Sequence, residues 1–169
     1  MIYTCLINSP IGEIRASAEN DALTGLWFVG QKYYPPQTEA WISDYDYPVF
    51  ESLRSWLSDY FAGKCPKQTI KLNPRGTDFQ RFVWDTLLKI PYGQLTTYGE
   101  IAKRLGCKSA RAVGGAVGHN PISILIPCHR VIGSNGSITG YAGGIDKKRV
   151  LLQIESHISV NEKVILNDY

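Results

Sequence analysis

The sequence predicts an α+β fold, a strand-rich N-terminal part followed by a mainly helical C-terminal part. Three observations carry this. The first 30 residues are short β-rich runs separated by turn residues. From Thr77 onward, apolar residues recur at helical spacing behind recognisable cap signals. Between the two, Lys64 to Gly76 contains Pro66, Pro74 and Gly76 and reads as a linker. The expected organisation is therefore an N-terminal domain over 1–75 with its linker, a C-terminal domain over 76–158 and a tail over 159–169.

Ile2 to Ile7 is β-rich, Ser9-Pro10-Ile11-Gly12 is a turn, and Glu13 to Ala18 alternates. Glu19-Asn20-Asp21 turns the chain again before Leu23 to Val29, which gives an antiparallel meander. Gln31 to Pro48, rich in Tyr, Pro and acidic residues, reads as an irregular loop. Phe50, Leu53, Leu57, Tyr60 and Phe61 recur at helical spacing, with Gly63 as the stop. Thr77 and Gln80 have capping-box spacing, and Phe79, Phe82, Val83, Leu87 and Ile90 form the apolar stripe of the helix they open. Pro91-Tyr92-Gly93 breaks it. Thr97-Tyr98-Gly99-Glu100 is a second capping-box pattern that opens a helix to about Leu105, Gly106 permits a sharp turn, and Ser109 caps a helix from about Ala110 to Gly118. Asp146 is placed to cap a last helix, Lys147 to Ser156, with Val150, Leu151 and Ile154 as its apolar positions.

With 44% hydrophobic and 20% charged residues, the 169-residue chain belongs with globular proteins and not with disordered ones. No apolar run approaches a membrane span, and the first residues lack a basic segment followed by a long apolar one, so neither a membrane partner nor a secretory signal is expected. Cys5, Cys65, Cys107 and Cys128 form no CxxC pair and no zinc-like spacing with the three histidines, which fits free thiols in a reducing, cytoplasmic setting (or a nuclear one in a eukaryote). The net charge of +3 is unevenly spread. Residues 1–60 hold three basic residues against eight acidic ones, and residues 97–150 hold eight basic against two acidic. A basic excess in one part points to a polyanion partner, although a solvated basic face has the same composition.

The chemistry concentrates at Pro127-Cys128-His129-Arg130-Val131, which follows the apolar run Ile122 to Ile126. An apolar approach and a proline stop read as a buried strand that delivers a thiol. The thiolate is the nucleophile, so a neighbouring base matters. Neighbours on an extended chain point to opposite faces, so His129 reaches the sulfur only if the chain turns or a water bridges the gap. Taken alone, the same Cys also describes a small apolar filler. Upstream, two short helices joined by a Gly-containing turn form a helix-turn-helix pattern. Its second helix, Ala110 to Gly118, offers almost no side chains for reading base edges in a major groove. Its small residues suit close approach to a minor groove, with Arg111 as the one long side chain, able to fill a gap in a base stack. Packing of the small residues against a neighbouring helix accounts for the same pattern.

Four motifs in order complete the reading: Arg111-Ala112-Val113-Gly114-Gly115-Ala116, Asn120-Pro121, Ile126-Pro127-Cys128-His129-Arg130-Val131 and Tyr141-Ala142-Gly143-Gly144. Together they resemble the O6-alkylguanine-DNA alkyltransferase family, specifically from about Phe79 to Glu155 and only generally over residues 1–75. The resemblance implies an RNase H-like antiparallel sheet domain followed by a mainly helical domain that contains the helix-turn-helix. It implies double-stranded DNA carrying O6-alkylguanine as partner, base flipping through the minor groove, and irreversible transfer of the alkyl group to Cys128, one event per chain. In this reading His129 is the base acting through a water, Glu155 orients it, Asn120 braces the turn before the active-site segment, and Tyr98 donates a proton to the departing guanine. Arg111, with Ala112 and Gly114, contacts DNA. Tyr141 and Ala142 line the guanine pocket. No metal or organic cofactor is implied, and the chain is expected to act as a monomer. Ala142 stands where some members place a serine, so backbone N–H groups would have to make that contact. Residues 1–75 contain no histidine, so a Cys/His zinc site of the kind some members carry is not expected. A lesion-recognition protein that does not transfer the alkyl group is the rival reading. A helix-turn-helix regulator lacks its base-reading side chains here, and a cysteine hydrolase would turn over without DNA.

Overall fold

The computed structural model describes residues 1–156, so the expected tail over 159–169 lies outside the described residues. The chain forms two compact units. One comprises Met1–Arg75 together with Pro121–Ser123, and the other comprises Gly76–Asn120 with the described residues from Ile124 onward.

The first unit is built on strands β1 (Tyr3–Ser9), β2 (Gly12–Glu19), β3 (Ala22–Phe28) and β4 (Ile42–Ser43), followed by helix α1 (Pro48–Phe61). The sheet order is β3-β2-β1-β4. Asn20 and Asp21 both have positive φ, 51° and 63°, which is the backbone a two-residue hairpin between right-twisted strands requires. β1, β2 and β3 pair antiparallel, but β4 pairs parallel with β1 through Tyr3–Ile42 and Thr4–Ser43. The expected antiparallel meander is thus present, and the added parallel β4 makes the whole sheet mixed. A two-residue strand inside a Tyr/Pro-rich loop leaves no alternation to read. Burial follows the pattern of α1, with Phe50, Leu53, Leu57 and Tyr60 in the core. Part of the expected linker is also structured, because Lys71 and Asn73 hydrogen-bond on either side of Leu23 of β3. Pro121 and Ser123 do the same on either side of Leu26.

The second unit contains α2 (Asp78–Leu88), β5 (Thr96–Thr97), α3 (Tyr98–Arg104), α4 (Ala110–Gly118), a 3-10 turn at Cys128–Arg130, β6 (Val131–Ile132) and α5 (Ile145–Ser156). β5 and β6 form a small parallel pair. Thr77 and Gln80 make a reciprocal capping box. The stripe of α2 departs from expectation: Val83, Trp84, Thr86 and Leu87 are buried, whereas Phe79 and Phe82 are exposed. Trp84 takes the inner position because its indole Nε1–H also donates to the Ala116 carbonyl of α4 at 2.9 Å, a bond phenylalanine cannot make. α3 ends in a Schellman motif. Gly106 (φ 65°) donates to Lys103 O, and Cys107 donates to Ala102 O at 2.8 Å. Ser109 Oγ then caps α4 by accepting from Ala112 N–H at 3.0 Å. Thus α3, a glycine turn and α4 form the helix-turn-helix.

α5 begins at Ile145, so Asp146 lies inside its first turn and not at the cap. Its inward line is Lys148, Leu151, Leu152 and Glu155, with Val150 and Ile154 only half-buried. Two ionisable residues therefore occupy the face where an apolar stripe was expected. No helix among the described residues is long and apolar enough to cross a membrane.

Candidate active site

The segment before Cys128 is not a strand. Ile122 makes a single bridge to Leu26, and the chain then turns through Ser123 to Ile126. Ile124 has φ 71°, a left-handed conformation that a β-branched residue adopts only at a cost of about 1–3 kcal/mol. Asn120 offsets this. It is buried, and its Nδ2 donates to the Ile126 carbonyl at 2.8 Å, closing the turn from inside. Cys128 N–H also donates to Ile126 O, and Cys128–Arg130 then winds as a 3-10 turn. The chain thus turns at the Cys-His pair, one of the two ways in which neighbouring residues can serve one site.

The Cys128 thiol is buried, and burial pushes its pKa up. Asn120, the positive charge of Lys148, its own backbone N–H and the nearby Tyr141 hydroxyl oppose that rise without cancelling it. The resting sulfur is consequently a thiol that needs a base before it can attack. Asn120, Tyr141 and Lys148 all converge on it. Tyr98, the first residue of α3, hydrogen-bonds Thr139 and senses the charge of Cys128, and burial raises its own pKa.

His129 is fully buried and its Nε2 is hydrogen-bonded to Glu155 Oε2. The other carboxylate oxygen accepts from Arg130 Nε at 2.6 Å, and Arg130 Nη1 donates to the Ile90 carbonyl at 2.6 Å. Burial alone would raise the Glu155 pKa. The His129 ring and the Arg130 guanidinium outweigh that and hold the carboxyl well below the usual range. An ionised carboxylate only accepts, so His129 Nε2 carries a proton and, in the neutral ring, Nδ1 carries the lone pair. Nδ1 is buried and has no hydrogen-bond partner among the described protein atoms. The pair therefore has the arrangement of a base oriented by a third group, and Arg130, given no role in the sequence analysis, holds the second carboxylate oxygen in place. The only sequence sign of Arg130 was its place beside His129, since its partner lies 25 residues away.

On α4, Arg111 and Ala112 are exposed. Gly114 is half-buried, and a Cβ there would sit 3.8 Å from the Tyr98 ring. Gly115, which the sequence reading did not single out, is exposed and a Cβ there would meet nothing within 4 Å. The open face of α4 is therefore Arg111, Ala112 and Gly115, one long cation on an otherwise smooth surface. Lys103, Arg104 and Lys108 are exposed nearby in sequence. Tyr141 and Ala142 are half-buried in the loop ahead of α5. Among the described residues no cluster of His, Cys, Asp or Glu is arranged to hold a metal ion.

Comparison with known proteins gives a consistent picture. The 6-O-methylguanine DNA methyltransferase ribonuclease-like domain matches residues 1–74, and the DNA binding domain of the same family matches residues 78–157. The methylated-DNA–protein-cysteine methyltransferase of Mycobacterium tuberculosis is 47% identical over 156 residues, covering 92% of this chain and 93% of that protein. Its namesake from Methanosarcina acetivorans is 43% identical over 155 residues, covering 91% and 98%. The crystal structure of M. tuberculosis O6-methylguanine methyltransferase superposes with a TM-score of 0.83 at 44% identity, covering 98% of this chain and 99% of that one. The M. tuberculosis OGT in complex with DNA superposes with a TM-score of 0.82 at 43% identity, covering 99% of each chain. With both halves matched and these relatives aligned along nearly their whole length, the chain belongs to the 6-O-methylguanine DNA methyltransferase family.

Proposed function

We propose that this chain repairs DNA by direct reversal, taking the alkyl group from O6 of guanine onto Cys128, once per molecule. The observation that carries the reading is the buried thiol on a turn whose next residue, His129, is held by a buried carboxylate with Nδ1 left to accept a proton. His129 takes the thiol proton through a bridging water. Cys128 Sγ attacks the alkyl carbon, the S–C bond forms, and the O6–C bond breaks with its electron pair on the guanine. Tyr98 donates a proton to the base, so neutral guanine leaves. His129 then releases its proton to solvent and Tyr98 regains one from it, so the net change is thiol plus alkylguanine to thioether plus guanine. A thioether has no easy leaving group, so the chain is consumed.

The guanine is presented by flipping out of double-stranded DNA. Arg111 stands in for the extruded base, while Ala112 and the glycines of α4 let the backbone approach a narrow groove. Tyr141 and the backbone at Ala142 line the pocket, and Asn120 braces the turn that carries the thiol. We take the working form to be a monomer in the cytoplasm, or in the nucleus of a eukaryotic cell. The test is incubation of wild type and Cys128→Ser with duplex DNA carrying one labelled O6-methylguanine. Label on wild-type protein only, with the lesion still bound by the variant, is expected. Lesion binding without transfer by wild type would make this a recognition protein instead.

A further inference from the structure

In the sequence Lys148 is one of eight basic residues between 97 and 150. Its side chain is fully buried, on the inward face of α5 two turns before Glu155. A buried lysine is rare unless its donors are matched. Here Nζ donates to Val131 O at 2.6 Å, Thr139 O at 2.7 Å and Gly140 O at 3.2 Å. Three acceptors use all three N–H bonds of an ammonium, whereas a neutral amine has only two. The acceptors come from two places. Val131 follows directly on the Cys128–Arg130 turn, and Thr139 and Gly140 begin the loop that leads to Tyr141 and Ala142. Thr139 is also the residue Tyr98 hydrogen-bonds.

We propose that Lys148 is a positioning residue that acts only as the cation, fastening the loop bearing Tyr98's partner and Tyr141 to the strand that leaves the Cys128 turn, and supplying a positive charge toward the sulfur. This deepens the repair reading and rests on it. Burial pushes the Lys148 pKa down to about 8, with the charge of Cys128 pulling it back up. The clamp is therefore complete at neutral pH and gives up a donor within the working range of a laboratory assay. Cys128, on the 3-10 turn, is the titratable group whose charge registers on Lys148. On α5 itself Asp146 pairs with Arg149 near solvent.

The experiment compares wild type with Lys148→Met, which keeps the length of the side chain and removes its charge and donors. Two readouts are taken from pH 6 to about 9.5: the single-turnover rate on O6-methylguanine duplex, and the rate of Cys128 carboxamidomethylation by iodoacetamide, followed on the peptide by mass. The variant is expected to transfer about 100-fold more slowly, the loss an ångström of misplacement causes. Its Cys128 alkylation midpoint is expected at higher pH, and the wild-type fall in transfer rate above pH 8 is expected to be missing. Equal rates, or slower transfer with an unmoved thiol midpoint and an unchanged pH profile, overturn the proposal. If circular dichroism shows the variant unfolded, the wild-type profile decides: a fall above about pH 8 supports the clamp, and a rate still rising at pH 9.5 overturns it. A wild type that transfers nothing overturns the repair reading instead, and the midpoint comparison, which needs no DNA, still decides whether Lys148 acts on the thiol.

Discussion

Glu155→Gln is the most informative single change to the base. The two side chains have nearly the same shape, so the cavity stays filled and the effect is electrical. The Glu155 side chain is 1% exposed and accepts from His129 Nε2, Arg130 Nε and, at 3.4 Å, Gly93 N–H, so solvent screening scarcely dilutes the two charged bonds. Charge-assisted hydrogen bonds contribute about 1.5–3 kcal/mol each and neutral ones about 1 kcal/mol. The amide oxygen keeps one donor and its NH2 group faces the other, so the expected destabilisation is about 3 kcal/mol, with the half-buried Arg130 charge left unbalanced. The effect on transfer is larger in relative terms. The glutamine NH2 favours the tautomer with the lone pair on Nε2, which takes the acceptor away from Nδ1. Neutralising the orienting carboxylate of a nucleophile–base pair costs about 10³–10⁴-fold in rate. Denaturant unfolding gives the first quantity and single-turnover transfer from O6-methylguanine duplex gives the second. A variant that transfers within about threefold of wild type while melting lower would refute the base assignment and leave Glu155 a structural residue.

Two further outcomes follow from the same geometry. Arg111→Ala should slow repair of duplex DNA by about tenfold or more while leaving reaction with free O6-substituted guanine little changed, because the gap it fills exists only in a base stack; equal losses on both substrates would rule out base replacement. Acid should expose the Glu155 network. Its carboxyl pKa is lowered on folding, so its contribution is complete above the ordinary value of 4.5 and is lost as pH falls toward the folded value. Melting temperature should therefore drop more steeply below pH 4.5 in wild type than in Glu155→Gln, and parallel curves would contradict this.

Local signals were legible in the sequence wherever one residue decides the backbone. Asn20-Asp21 announces its hairpin, Thr77 with Gln80 its capping box, and Gly106 and Ser109 the turn of the helix-turn-helix. What escaped depends on partners distant in the chain. Phe79 and Phe82 look like core by composition, but the bond from Trp84 to Ala116 sets the rotation of α2. Ile122 to Ile126 looks like a strand, but Asn120 closes it into a turn that holds Ile124 in an unfavourable conformation. The inward face of α5 was misread for the same reason. Lys148 and Glu155 are charged, so an apolar pattern passes over them, although each is buried against groups that the pattern cannot see. Cys128, His129 and Arg111 stand out in the sequence because their motifs are contiguous. Arg130 and Lys148 had to be found through their acceptors.

The central claim is stoichiometric transfer to one sulfur, and an intact-mass titration tests it most directly. The protein is mixed with increasing amounts of duplex carrying one O6-methylguanine, and the adduct is then located by peptide mass. The account predicts a single added methyl on the Cys128 peptide, rising with lesion removed and stopping at one per chain. Lesion loss that continues beyond one equivalent, or a methyl found on Cys5, Cys65 or Cys107 instead, would contradict it.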